Sequence, residues 1–135
     1  QQQNGENYTV TIPEEIEMAV SYFNENYNTK ISVAQYAESL HISTNWFIRN
    51  FKQHMKMSPA QYLLSLRMVN AQSLLENTDY SVGEIAEIVG YDNQLYFSRV
   101  FKKEYGISPA QYRKRAENQS AAPMESDVGE ITRED

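Results

Sequence analysis

The chain reads as an all-α protein of two helix-turn-helix subdomains joined by a long central helix, seven helices in all. Three observations carry that expectation. The 5 Gly and 4 Pro of its 135 residues stand at punctuation points rather than inside periodic runs. Helix-start signatures recur: Ser or Thr three residues before Glu or Gln, a spacing that lets each side chain satisfy the other's orphan amide. They occur at Thr11…Glu14, Ser32…Gln35, Ser58…Gln61, Ser81…Glu84 and Ser108…Gln111. Finally, a block of sequence near residues 32–62 returns near 81–112.

Taken in order, the first helix starts near 13 and carries one apolar stripe, Ile16-Ala19-Val20-Phe23, at the spacing of a helix with one buried face. The second starts near 33 behind Ser32, the third near 44 behind a plain Ser43 cap. The fourth starts at Pro59, where a missing N–H costs nothing, and runs to about Asn77. Leu64-Met68-Ala71-Leu75 and Leu63-Leu66-Leu74 give that helix two stripes, as expected of one that packs against two partners and fixes one subdomain relative to the other. The remaining starts fall near 82, near 93 behind an Asp92 cap, and at Pro109. Gly90 suits the tight turn between the fifth and sixth helices, and Gly106 a left-handed end to the sixth. The boundaries follow: a flexible segment 1–12, subdomains 13–57 and 78–117 about a joining helix 58–77, and an acidic, aperiodic tail 118–135 expected to be disordered.

Charge is distributed unevenly. The formal net charge is −6, yet residues 1–29 carry five acids and no base, residues 116–135 six acids and one base, and residues 30–115 eleven bases and seven acids. The basic middle is the part able to meet a polyanion. Within it, Ser43–Lys56 holds Arg49, Lys52 and Lys56 with no acid, and Asn93–Tyr105 holds Arg99, Lys102 and Lys103 against Glu104 alone.

Several functions are disfavoured. No run of eighteen apolar residues and no basic-then-apolar start is present, so neither a membrane span nor a signal peptide is expected. Without Cys there are no disulfides or thiolate sites, which is compatible with a reducing compartment and a cytoplasmic location. His41 and His54 lack metal-ligand spacing. No Gly-rich phosphate loop or supported catalytic constellation occurs, so neither an enzyme nor a bound cofactor is expected. The chain opens on Gln1 rather than Met and is read as a fragment of something longer.

The repeat is dense. Ser32-Val33…Ala37-Glu38…Phe47-Ile48-Arg49-Asn50-Phe51-Lys52…Ser58-Pro59-Ala60-Gln61-Tyr62 returns as Ser81-Val82…Ala86-Glu87…Phe97-Ser98-Arg99-Val100-Phe101-Lys102…Ser108-Pro109-Ala110-Gln111-Tyr112. The offset is 49 before the turn and 50 after it, a one-residue insertion at a turn. Each copy is a short helix, a tight turn and a basic helix. Gly90-Tyr91-Asp92…Tyr96-Phe97-Ser98-Arg99-Val100-Phe101-Lys102-Lys103…Gly106-Ile107-Ser108-Pro109-Ala110-Gln111-Tyr112-Arg113 resembles the signature of the AraC/XylS family of bacterial transcription regulators, and the resemblance extends over about residues 14–116. Lys56 stands where that family usually has the Gly that ends the recognition helix, and His41-Ile42 stands where the second copy has Gly90-Tyr91.

The resemblance implies a sequence-specific DNA-binding domain whose two recognition helices enter successive major grooves of an asymmetric site, with RNA polymerase as a further partner. An N-terminal effector or receiver domain would lie outside this fragment. The scale agrees: a joining helix of about 18 residues is ~27 Å long, against ~34 Å between adjacent major grooves on one face. Carried over residue by residue, the family's base contacts fall on Asn45, Ile48 and Arg49 and on Gln94, Leu95, Tyr96, Ser98 and Arg99. Arg can pair with guanine, Asn or Gln with adenine, and Ile or Leu can pack on a thymine methyl. Thr44, Lys52, Lys102, Lys103 and Arg113 are expected at phosphates. Phe47-Phe51 and Phe97-Phe101, each at i, i+4, belong to the core. Trp46 and Tyr96 are open between half-buried packing and a phosphate-side contact, and Arg67 between a functional role and pairing with an acid such as Asp92. The competing reading is a helical protein-interaction module that keeps the fold without specific DNA binding, although it gives no reason for Arg and Lys to recur at matching positions of both basic helices.

Overall fold

The structure, a computed structural model, describes residues 11–121, with side chains to 119. Seven α-helices and no strand occur among them: α1 Glu14–Asn26, α2 Val33–Ser39, α3 Thr44–Met55, α4 Pro59–Asn77, α5 Val82–Ile88, α6 Gln94–Tyr105 and α7 Pro109–Ala121. All seven starts lie within a residue of those expected from the caps. None of the described helices is long and apolar enough to cross a membrane.

Caps explain most of the boundaries. Ser58 and Ser108 each accept from the amide of the Gln three residues on, and each Gln Oε1 accepts in return from the Ser amide. Ser81 and Glu84 form the same reciprocal pair. Ser32 and Ser43 cap α2 and α3 by accepting from Gln35 and Trp46. Two expected caps are corrected. α1 is preceded by Pro13 and has no side-chain cap, so Thr11 plays no such part; Glu14, Glu15 and Glu17 in its first turn offset the positive helix end instead. α6 is capped by Asn93 and not by Asp92, its Oδ1 accepting from the Tyr96 amide at 3.0 Å. Asp92 is the extra residue at the turn, and beyond it Asn93 occupies the place of Ser43.

The chain divides into two units between Leu66 and Arg67, inside α4. In the first unit, Ile16, Ala19 and Phe23 of α1, Ala37 of α2, Phe47 and Phe51 of α3 and Leu63 of α4 form one buried cluster. Phe23 is its centre, with ring centroids 6.4 Å from Phe47, 5.8 Å from Phe51 and 6.4 Å from Tyr62. Each such buried ring contributes ~1.5–3 kcal/mol through apolar burial. The Tyr62 hydroxyl donates to Asn24 Oδ1 at 2.7 Å, which ties the start of α4 to α1.

The second unit repeats this design over more of its length than the sequence repeat suggested. Met68, Ala71 and Leu75 are buried on α4 at the spacing of Ile16, Ala19 and Phe23 on α1, so the second half of α4 serves the second unit as α1 serves the first. Phe97 and Phe101 are fully buried on α6, and Tyr112 meets Phe101 edge-on at 5.5 Å as Tyr62 meets Phe51 at 5.6 Å. The Tyr112 hydroxyl donates to Glu76 as Tyr62 does to Asn24. α4 is divided by its length and not by the two expected stripes: Leu63 joins the first core, Met68, Ala71 and Leu75 are buried in the second unit, and Leu64 and Leu74 are only half-buried. The last helix passes the expected boundary at 117 and reaches Ala121. The remainder of the proposed tail, and residues 1–10 of the flexible segment, lie outside the described residues.

Candidate nucleic-acid interface

The turn before each basic helix closes in the same way. In the first unit the amides of His41 and Ile42 donate to the carbonyls of Glu38 and Ala37; in the second, Gly90 and Tyr91 donate to Glu87 and Ala86. This paired arrangement terminates a helix with one left-handed residue, here His41 at φ 61° and Gly90 at φ 107°. The turn that lacks Gly thus keeps the geometry and holds a non-Gly residue in a disfavoured region. The helix ends repeat the pattern, with Lys56 at φ 67° and Gly106 at φ 84°, so Lys56 does not change how α3 stops.

Because Phe47, Phe51, Phe97 and Phe101 are wholly buried, the orientation of each basic helix is fixed by its core side, and the opposite face is open to solvent. On α3 this face presents Asn45, Ile48, Arg49 and Lys52, with Thr44 half-buried at the first turn. On α6 it presents Gln94, Leu95, Tyr96, Arg99, Lys102 and Lys103, with Ser98 half-buried. Leu95 is 62% exposed and Tyr96 57%, so both side chains are free to meet a partner surface. Among the described residues, the charged groups of Arg49, Lys52, Arg99, Lys102 and Lys103 make no ion pair, so the surface salt bridge that competes with a ligand role for the two arginines is not formed. α3 carries no acid and α6 only Glu104.

Arg113 departs from the expected phosphate set. Its Nε donates to the Leu75 carbonyl and its Nη2 to the Thr78 carbonyl, each at 3.1 Å, in a half-buried position. Leu75 and Thr78 sit where α4 ends and carbonyls lack intrahelical donors, so a planar, always charged fork is well suited to them. Nothing in the spacing of Arg113 announces this, since both acceptors lie 35 or more residues away. The undecided aromatics separate. Trp46 is half-buried against the first core, while Tyr96 stays exposed and leans on Tyr91 at 5.8 Å. Arg67 stacks over the Tyr91 ring at 5.3 Å, which gives it a structural role at the foot of α6.

Two buried rows of Phe, two closely matched turns and two solvent-facing basic helices are the features by which this fold can be compared with others. Residues 36–115 match a family profile described as a helix-turn-helix domain. The chain belongs to the AraC/XylS family. It is 37% identical over 108 residues to the raffinose operon transcriptional regulatory protein RafR of Pediococcus pentosaceus, covering 80% of this chain and 39% of that one. It is 36% identical over 102 residues to the lactose operon transcription activator of Staphylococcus xylosus, covering 76% and 37%. This AraC/XylS chain therefore spans less than two fifths of the length of those relatives. Among solved structures it is similar to the C-terminal domain of AraT, a response regulator from Geobacillus stearothermophilus, with TM-score 0.74 and 36% identity, covering 78% of this chain and 88% of that one. It is also similar to the DNA-binding domain of AdpA in complex with a target DNA, with TM-score 0.72 and 30% identity, covering 82% and 98%.

Proposed function

We propose that this chain is the DNA-binding domain of a bacterial transcription regulator, with α3 and α6 entering successive major grooves of one asymmetric site. The observation that carries this reading is the recurrence of an Arg that makes no ion pair among the described residues, Arg49 and Arg99, at the same position of two helices whose opposite faces are pinned by buried Phe. Asn45, Ile48 and Arg49 read one half of the site, and Gln94, Leu95, Tyr96, Ser98 and Arg99 the other. Thr44, Lys52, Lys102 and Lys103 contact phosphate. Because the two reading sets differ in composition, the preferred site is not a palindrome. The longer relatives are regulators of sugar operons and include an activator, which supports a parent protein that joins this domain to a signal-sensing or receiver segment, contacts RNA polymerase and acts in the cytoplasm without catalysis. The protein-interaction alternative gains no observation of its own.

The test is selection of bound sequences from random DNA, with affinity measured against salt. The expected result is a bipartite, non-palindromic motif and a log–log salt slope of about −4 to −7, from ~0.9 per neutralised phosphate. A slope near −1, or no enriched motif, overturns the two-helix reading.

A further inference from the structure

We propose that Gly83 is a positioning residue that sets the base preference of the second helix-turn-helix by letting the Gln94 side chain lie back on the first turn of α5. Gly83 is the second residue of α5, and its backbone is not left-handed, so its conformation does not call for glycine. Space is what calls for it. A Cβ at 83 would stand 2.7 Å from Gln94 Oε1, closer than such atoms approach, and 3.6 Å from its Cδ, which is ordinary contact. Gln94, the first residue of α6, therefore rests its amide against the first turn of α5. The first unit has the complementary pair at the equivalent positions: Ala34 for Gly83, and the short Thr44 for Gln94. Bulk added on one side is matched by bulk removed on the other.

This inference rests on Gln94 facing DNA as proposed above, and it adds a direction. A Gln reads adenine by using its oxygen and nitrogen together. An amide whose oxygen is turned toward α5 is not set for that pairing, so Gln94 contributes weakly to preference as long as residue 83 is Gly. Gly83→Ala closes the resting place and turns the amide outward.

The experiment uses the full chain with Gly83→Ala, Gln94→Ala and the double variant, each read by sequence selection on DNA and by thermal melting. Gly83→Ala is expected to stay folded, because the only close neighbour is the end of a flexible side chain, and to raise adenine enrichment at one position of the α6 half-site by about threefold to tenfold. That gain vanishes when Gln94 is Ala. An NMR cross-peak between the Gln94 side-chain amide and the Gly83 α-protons, seen in the free parent protein, supplies a readout that does not require the variant to fold. Unchanged preference in folded Gly83→Ala, a shift that persists in the double variant, or absence of the cross-peak overturns the proposal. Arg49→Ala and Arg99→Ala, which do not touch this contact, separate the two failures: if they too leave preference flat, the base-reading model itself has failed.

Discussion

Arg113→Ala separates a structural guanidinium from a DNA contact. The side chain makes two hydrogen bonds of 3.1 Å, to the carbonyls of Leu75 and Thr78. Of the last α4 carbonyls, that of Leu74 is met by the Thr78 amide, and that of Leu75 is the next in line. A hydrogen bond from a charged donor contributes ~1.5–3 kcal/mol, but the site is half-exposed and water recovers part of the loss, so truncation is expected to cost about 2–3 kcal/mol. At 4–8 °C per kcal/mol for a domain of this size, Tm falls by roughly 10–20 °C. Arg113→Lys restores little, because one ammonium cannot span both acceptors as the planar fork does. The assay pairs calorimetry with DNA affinity at several salt concentrations, measured well below the variant's Tm. The salt slope of Arg113→Ala is expected to equal that of the parent. Lys103→Ala, by contrast, keeps Tm while its slope becomes shallower by ~0.9. An Arg113→Ala protein with parental Tm and a shallower slope would refute the reasoning and return Arg113 to the phosphate contacts.

Other outcomes follow from single residues. Arg49→Ala and Arg99→Ala each cost about 1–3 kcal/mol of specific affinity and relax preference at one position, in different halves of the site, as read by competition with single-base variants. Equal loss on random DNA would reassign both to phosphate. At the matched helix ends, Lys56→Gly is expected to stabilise by about 0.5–1 kcal/mol by relieving a left-handed non-Gly residue. Gly106→Ala is expected to destabilise by about 1 kcal/mol with no steric part, since nothing lies within 4 Å of the added Cβ; denaturant melts check both. Burial, and then the hydrogen bond to Glu76, push the Tyr112 hydroxyl up from 10.0 to about 12. Its folded pKa is raised, so the stabilisation is complete below pH 10 and is lost as pH climbs towards 12. Tyr112→Phe should lack that decline, as read by denaturant melts at a series of pH values. Deleting 122–135, which holds five acids and one base, should strengthen DNA binding at low salt without lowering Tm.

What could be read from the sequence was local. Caps and helix stops are interactions across three to five residues, and Ser32, Ser43, Ser58, Ser81 and Ser108 all open the helices that their spacing announced. The same short range explains Gly90 and Gly106 in their left-handed places, and the i, i+4 Phe pairs whose burial leaves the reading faces outward. Part of what was missed was present but unread. The 50-residue offset carries Ser43 onto Asn93, and Ile16-Ala19-Phe23 recurs as Met68-Ala71-Leu75 once the conserved quantity is taken to be spacing rather than residue type.

Tertiary structure decided the rest. Lys103 and Arg113 are both cations near the end of a basic segment, yet one faces solvent while the other closes carbonyls 38 and 35 residues back in the chain. Trp46 and Tyr96 hold one repeat position and differ in burial: Trp46 is half-buried against the first core, whereas Tyr96 touches Tyr91 and stays 57% exposed. His41 and Lys56 adopt left-handed conformations that their residue types disfavour, because the helices on either side fix where the chain must turn. Local propensity sets where helices begin and end, whereas the fate of an exposed-looking side chain depends on which distant backbone groups the folded chain leaves unsatisfied beside it.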